Sequence, residues 1–265
     1  LLSFESNEFL ALVIVTRPLP VRRHEMKRIL CGVAFVLLAA SLLAPPTAAD
    51  DPMAAAMKQE VHSVSLDLRF DKKGRNSLQH ALSLLDWGPN GFATAFVVGD
   101  GLVMTAYHVV SGNLSPSKKS QLGFGSKDQL EVKASVNGCQ ATVVRVDEEA
   151  DLALLKVCRT PKQTSTPAFQ ASLSLDEKLL LIARPNGDKE VRRGIFSGPY
   201  TLRGKQYWSA KIEGHDGFSG SPVYNDRAQI IGVFSGYDWE QKLAVISPGE
   251  RAQKLLEDYT SAPKP

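Results

Sequence analysis

The sequence is poor in several things at once. Its 265 residues include three cysteines, three tryptophans and five histidines. So few cysteines exclude a small disulfide-built scaffold. The cysteines and histidines also show none of the paired spacings that hold a metal, so neither a metal nor another cofactor is expected. No sign of charge dominates: 31 Lys and Arg stand against 28 Asp and Glu, a formal net charge of +3. Part of that excess sits in Arg17, Arg22, Arg23, Lys27 and Arg28, ahead of the globular part. Without a clustered basic face, nucleic acid is not an expected partner. Beyond Ala44 there is no apolar run long enough to cross a bilayer as a helix. Internal repeats and low-complexity tracts are missing too. What remains, 43% hydrophobic and 22% charged, is ordinary globular composition. The length suits one large domain or two small ones.

The amino-terminal part reads as an address. Met26, Lys27 and Arg28 begin a positively charged start, 29–44 is apolar or small, and Pro45-Pro46 ends any helix. Thr47-Ala48-Ala49 then supplies the small residues of a cleavage site. Residues 26–49 are therefore expected to be a signal peptide cut after Ala49. The alternative, a membrane anchor, is disfavoured because 29–44 falls short of the roughly 20 residues a spanning helix needs. Cys31 lies early in the run with Arg28 three residues before it, the wrong setting for lipidation. Residues 1–25 hold no Met and read as translation upstream of a start at Met26. The mature chain is expected to be periplasmic or secreted, with no stable membrane anchor.

Residues 50–75 are polar and mixed in charge, and read as a linker with one strand at 61–70. Leu78, Leu82 and Leu85 recur at helical spacing and allow a short helix. From Gly91 onward short β-rich runs follow one another, at 92–98, 102–105, 130–136, 142–146, 152–157, 179–183, 207–212, 230–234 and 243–246. Gly, Asn, Asp and Pro separate them, which argues for an all-β barrel or sandwich. The end differs. Ser247-Pro248-Gly249-Glu250 has capping-box spacing, and Ala252, Leu255, Leu256 and Tyr259 share a face, so a helix is expected over 248–259.

Three segments bear chemistry. Thr105-Ala106-Tyr107-His108 follows a strand pair joined by Gly99-Asp100-Gly101. Asp147-Glu148-Glu149-Ala150-Asp151 forms a turn before Leu152-Ala153-Leu154-Leu155. Gly217-Phe218-Ser219-Gly220-Ser221-Pro222 places a serine between glycines. A serine hydroxyl attacks a carbonyl only when held beside a base, and where N–H groups can stabilise the oxyanion it creates. Glycines around Ser219 permit that tight turn, and the N–H groups of Gly217 and Ser219 could converge on one point. Alone, each segment has a plainer reading: a glycine turn, a structural histidine, a solvated acidic turn. Together they give His108, Asp151 and Ser219 in the chain order of a known β-barrel triad.

On these residues the chain resembles the trypsin-like serine endopeptidases, nearest in style to the bacterial HtrA/Deg branch. The resemblance covers roughly 90–246 and extends to Ile231-Gly232-Val233, the strand after the nucleophile. It implies two six-stranded antiparallel β-barrels with the site between them, here 76–160 and 166–246 within a protease domain 76–265, divided near Thr160–Thr166. It also implies roles: Ser219 as nucleophile, His108 as base and acid, Asp151 as orienting group, Gly217 and Ser219 as oxyanion hole, and protein or peptide substrates. A primary pocket would be lined by Glu213, Ser235, Gly236 and Tyr237. An acid at residue 213 would favour Lys or Arg in the substrate, unless it simply faces water. Phe218 stands where digestive-type members keep an Asp for zymogen activation, so that activation is not expected. Too few residues follow Ile246 for the PDZ domain common in the branch. Oligomeric state and physiological substrate stay open.

Two other functions compete: a non-catalytic binding module on the same fold, and an esterase. The intact His/Asp/Ser set argues against the first, and the chain order against the second. Finally, loss of Cys31 with the signal peptide leaves Cys139 and Cys158 in an oxidising compartment, where they are expected to pair. If Asp147 faces Asp151 across the hairpin, the two cysteines fall within one residue of opposite each other, and a bulge could supply the difference. Such a bridge would brace the turn that presents Asp151. The alternative is a pair of buried thiols.

Overall fold

The computed structural model describes residues 51, 53–74, 91–160, 167–170 and 172–262. The expected signal peptide 26–49, residues 1–25, the Leu78/Leu82/Leu85 stripe and most of the 160–166 boundary lie outside the described residues.

Twelve strands close into two barrels, and neighbouring strands within each are antiparallel. The first contains β1 (Ser63–Lys72), β2 (Gly91–Gly99), β3 (Leu102–Ala106), β4 (Leu130–Val136), β5 (Cys139–Asp147) and β6 (Leu152–Val157), in the order β1-β2-β3-β6-β5-β4. The second contains β7 (Lys178–Ala183), β8 (Glu190–Leu202), β9 (Lys205–Ala210), β10 (Pro222–Tyr224), β11 (Ile230–Asp238) and β12 (Leu243–Pro248), in the order β10-β11-β12-β9-β8-β7. These are the two six-stranded antiparallel barrels that the resemblance implied, with the short carboxy-terminal helix expected from the residue pattern over 248–259.

The linker expectation for 50–75 needs correcting. Strand β1 is a stave of the first barrel, paired with β2 on one side and β4 on the other. The cause is its period-two pattern: Val64, Leu66, Leu68 and Phe70 enter the barrel interior, while Ser65, Asp67 and Arg69 alternate with them. The polar half hides the strand in an average over the segment. The barrel therefore begins at Ser63 and not at 76. Before it, α1 (Ala54–Met57) and a 3-10 turn (Lys58–His62) pack Met53 and Ala56 into the layer between the barrels.

Strand β8 also escaped the sequence reading. Its 13 residues carry Glu190, Arg192 and Arg193, and it bulges between Phe196 and Gly198 beside Pro199. Half-exposed polar positions and a proline removed the usual signs of a strand.

Short helices α2 (Tyr107–Val110) and α3 (Pro116–Gln121) follow β3, and α4 (Gly249–Thr260) ends the described chain. Helix α4 starts one residue later than expected and lacks the capping box. Pro248 holds the cap position with extended backbone, and no side chain caps the helix. Ser247 is instead a buried residue of β12, paired with Val233.

Three apolar clusters result: one inside each barrel and one between them. The last gathers Phe96, Met104, Leu152 and Leu154 from the first barrel, Leu180, Ile182, Tyr224 and Val233 from the second, and Ala252 and Leu255 from α4. It fixes how the two barrels meet, and the site lies on that meeting line.

Candidate active site

His108 sits in α2, the single turn that follows β3. Asp151 ends the β5–β6 turn, and Ser219 lies in the segment before β10. Strand pairing of β3 with β6, including Ala106 opposite Leu152, brings the first two together. Tyr107 N–H donates to the Asp151 carbonyl at 3.0 Å, and His108 N–H to Asp151 Oδ1 at 2.8 Å. Asp151 has φ +56°, a left-handed conformation that Asp tolerates in turns.

The side chains then line up. His108 Nδ1 is 2.8 Å from Asp151 Oδ2, and His108 Nε2 is 3.0 Å from Ser219 Oγ. With Asp151 as acceptor, Nδ1 carries the ring proton, and Nε2 is left to accept from the Ser219 hydroxyl. Asp151 is only 8% exposed. Burial pushes its carboxyl pKa up, but hydrogen bonds from the His108 ring, the Ser235 hydroxyl and the His108 N–H, with the His108 charge, together hold it below the usual value.

Ser235 changes its expected part. Its hydroxyl donates to Asp151 Oδ2, so it supports the carboxylate. Gly236 and Tyr237 pair with Val245 and Ala244 of β12, and the Tyr237 ring packs edge-on against Trp239 with centroids 4.8 Å apart. Glu213 does not sit at a pocket floor. Its side chain is 68% exposed and lies 3.5 Å from His215 Nε2. The reason is alternation: Ile212 and Gly214 are buried, and the residue between them faces water.

Around Ser219 the backbone does unusual work. Gly217 and Gly220 both have φ +87°, and a Cβ on Gly220 would collide with Thr105 Oγ1 and the Thr94 carbonyl. Only glycine fits there. Phe218 N–H donates to the His215 carbonyl, Gly220 N–H to the Phe234 carbonyl and Ser221 N–H to the Phe218 carbonyl. Among the described residues, neither the Gly217 nor the Ser219 N–H has a protein acceptor. Those are the two donors the sequence pointed to. Phe218 is fully buried, edge-on to Phe234 and His215, with the Arg192 guanidinium 5.5 Å from its ring centre.

A cavity of about 650 Å³ opens beside His108 and Ser219, lined in part by Phe92, Val109, Leu114 and Leu122 of the first barrel and Pro185 and Asp216 of the second. The Lys118 ammonium of α3 reaches Asp216 Oδ2 across it at 3.0 Å.

The turn bearing Asp151 is clamped by residues that local motifs could not reveal. Asp147 accepts from Ala150 N–H at 3.1 Å and from Arg251 of α4 through two bonds of 2.8 Å. Tyr107 hydroxyl donates to Glu148 Oε1 at 3.0 Å, and Lys205 to the Glu148 carbonyl at 2.6 Å. At the other end of the hairpin Cys139 and Cys158 form a disulfide with Cα atoms 5.8 Å apart. The register differs slightly from expectation: Asp147 faces Leu152, and a bulge at Val144 shifts the pairing so that Ala141 faces Val157. Among the described residues no group of His, Cys, Asp and Glu could hold a metal ion, and no helix is long and apolar enough to cross a membrane.

Residues 93–233 match the trypsin-like peptidase domain family. Over 149 residues the chain is 30% identical to the Do-like serine protease HtrA of Lactococcus lactis subsp. cremoris, covering 51% of this chain and 33% of that protein. Over 152 residues it is 28% identical to the magnetosome formation protease MamE of Paramagnetospirillum magneticum, covering 52% of this chain and 18% of that protein. The chain thus spans a third or less of these relatives. Among solved structures, the active form of the Rv3671c protease from M. tuberculosis superposes with TM-score 0.57 at 18% identity, covering 84% of this chain and 90% of that one. Deg5 superposes with TM-score 0.51 at 17% identity, covering 76% and 89%. Likeness at that identity speaks for the fold.

Proposed function

This chain belongs to the trypsin-like peptidase domain family, and on that premise we propose that it cleaves peptide bonds through Ser219, His108 and Asp151. It is a serine endopeptidase of HtrA-like kinship, acting on proteins or peptides. The observation that carries the residue assignment is the continuous line Asp151–His108–Ser219, with spacings of 2.8 and 3.0 Å.

In this reading Ser219 Oγ attacks the scissile carbonyl while His108 Nε2 takes its proton. The tetrahedral oxyanion settles between the Gly217 and Ser219 N–H groups, which are open for it. His108 returns the proton to the leaving amine, an acyl-enzyme forms, and water releases it by the same steps in reverse roles. Asp151 holds the tautomer and stabilises the imidazolium, and its own low pKa keeps it charged throughout. The cavity beside His108 receives the leaving side of the peptide. Export is part of the reading, supported by the 26–49 pattern and by a disulfide on the surviving cysteine pair.

The test is covalent. Purified protein is treated with a fluorophosphonate, and mass spectrometry of the same sample reads both the adduct and the amino terminus. The expected result is one adduct on Ser219 in a chain starting after Ala49. Ser219→Ala is expected to stay folded and lose peptidase activity by roughly four to six orders of magnitude. A folded, unlabelled wild-type protein would instead favour the binding-module alternative, and a retained 26–49 segment would overturn export with cleavage.

A further inference from the structure

Strand β2 alternates between two surroundings. Ala93, Ala95 and Val97 enter the first barrel, while Phe96 and Val98 join the cluster between the barrels. Thr94 has the parity of the second set and so faces the second barrel. It is fully buried. A buried hydroxyl is costly unless its hydrogen bonds are made, and a valine would suit the apolar surroundings better. The hydroxyl has a specific use.

Thr94 Oγ1 donates to the Gly217 carbonyl at 2.9 Å and accepts from the Arg184 N–H at 2.9 Å. Thr94 N–H donates to the Ser219 carbonyl at 3.0 Å, and its own carbonyl accepts from the Thr105 hydroxyl at 2.8 Å. One residue of the first barrel thereby ties the carbonyls of both residues whose N–H groups are open. It also connects them to Thr105, three residues before His108. Gly217 needs such a tie: it has φ +87° and no side chain to anchor it. Its other flank is Pro185, where a Cβ on Gly217 would come within 2.7 Å of the ring. The Thr94 hydroxyl grips both sides, the Gly217 carbonyl directly and Pro185 through the preceding Arg184 N–H.

We propose that Thr94 is a positioning residue for the oxyanion site: its hydroxyl orients Gly217, and through Gly217 the N–H that meets the developing charge. Thr94 touches neither substrate nor reacting atoms. The proposal rests on the assignment of Ser219 and its neighbouring amides made above.

The test compares Thr94→Val, which keeps the shape and removes the hydroxyl, with Thr94→Ser, which keeps the hydroxyl. Activity is expressed per folded protein by circular dichroism. Thr94→Val is expected to lower kcat about tenfold to a hundredfold, less than outright removal of an oxyanion donor, with KM nearly unchanged. Affinity for a peptidyl boronic acid should fall by the same factor, because that probe binds as the tetrahedral state. Thr94→Ser should stay within about threefold of wild type in kcat. If Thr94→Val does not fold, Thr94→Ala against Thr94→Ser gives the same contrast. Wild-type kcat without the hydroxyl overturns the proposal, as does a serine variant as slow as the valine one. A wild-type protein that neither labels nor cleaves overturns the earlier assignment and this one with it, whereas an active wild type with an indifferent Thr94→Val overturns this one alone.

Discussion

Around Asp151, at the tip of the β5–β6 hairpin, nearly every polar group has a partner, whereas the loop that enters Ser219 leaves two N–H groups open. The acid's turn is held by side chains from outside it: Arg251 on Asp147, Lys205 and Tyr107 on Glu148, Ser235 on Asp151 itself. The turn around Ser219 is held by bonds to its backbone, through the Gly217 and Ser219 carbonyls and the Phe218, Gly220 and Ser221 N–H groups, and through the absence of side chains at Gly217 and Gly220. On the proposed mechanism, the difference follows from what each must do. A group that only holds charge and orientation profits from every hydrogen bond it can make. A turn that must offer donors to a transient oxyanion has to be rigid without using those donors.

The contrast can be broken most forcefully at Gly220. Gly220→Ala puts a methyl into the Thr94 carbonyl and Thr105 hydroxyl at a left-handed φ. A destabilisation of about 3 kcal/mol or more is expected in denaturant unfolding, with loss of fluorophosphonate labelling in whatever remains folded. Stable, labelled Gly220→Ala would mean the nucleophile's turn is looser than described. The acid's hairpin should respond differently. Replacing Cys139 and Cys158 by serine removes a loop closure worth about 3 kcal/mol on the chain-entropy model. Yet kcat at a temperature where the protein is folded should change less than about twofold, because the disulfide lies at the far end of the hairpin from the clamped turn. A large fall in kcat with the fold intact would show that the clamp does not suffice.

A smaller change sharpens the comparison. The Asp151 carboxyl has a lower pKa in the folded protein than in the unfolded chain. It therefore stabilises the fold above the ordinary carboxylate range, and that stabilisation is lost as pH falls through the folded value. Ser235→Ala removes one of the bonds that lower it. The acid-unfolding midpoint is expected to move to higher pH, followed by circular dichroism, with His108→Ala as the reference that removes the largest of those bonds. An unmoved midpoint would separate Ser235 from the carboxylate's electrostatics.

What the amino-acid sequence made legible was local. Thr105-Ala106-Tyr107-His108, the Asp151 turn and the Ser219 glycine turn each pack their chemistry into a few consecutive residues, and strands such as Leu179–Ala183 announce themselves by apolar density. The hidden features depend on distant partners. Nothing near Asp147 foretells Arg251, 104 residues away, and nothing near Thr94 foretells Gly217, 123 residues away. Strand β8 was obscured because its neighbours in the sheet, not its own hydrophobicity, make it a strand. Glu213 misled for a related reason: motif spacing gives a residue its place along the chain, while the burial of Ile212 and Gly214 decides which way it turns.

The layer between the barrels has a kinetic meaning. Met53 and Ala56 enter it from near the start of the described chain, and Ala252 and Leu255 from near its end. Contacts that join such remote residues form late, because the chain entropy of closing so long a loop must be overcome first. Each barrel can close on neighbouring strands, but the seam cannot be finished before the final helix arrives, and that helix also brings Arg251 to the acid's turn. On the proposed assignment His108 and Ser219 come from different barrels, so their alignment depends on that seam and not on either barrel alone.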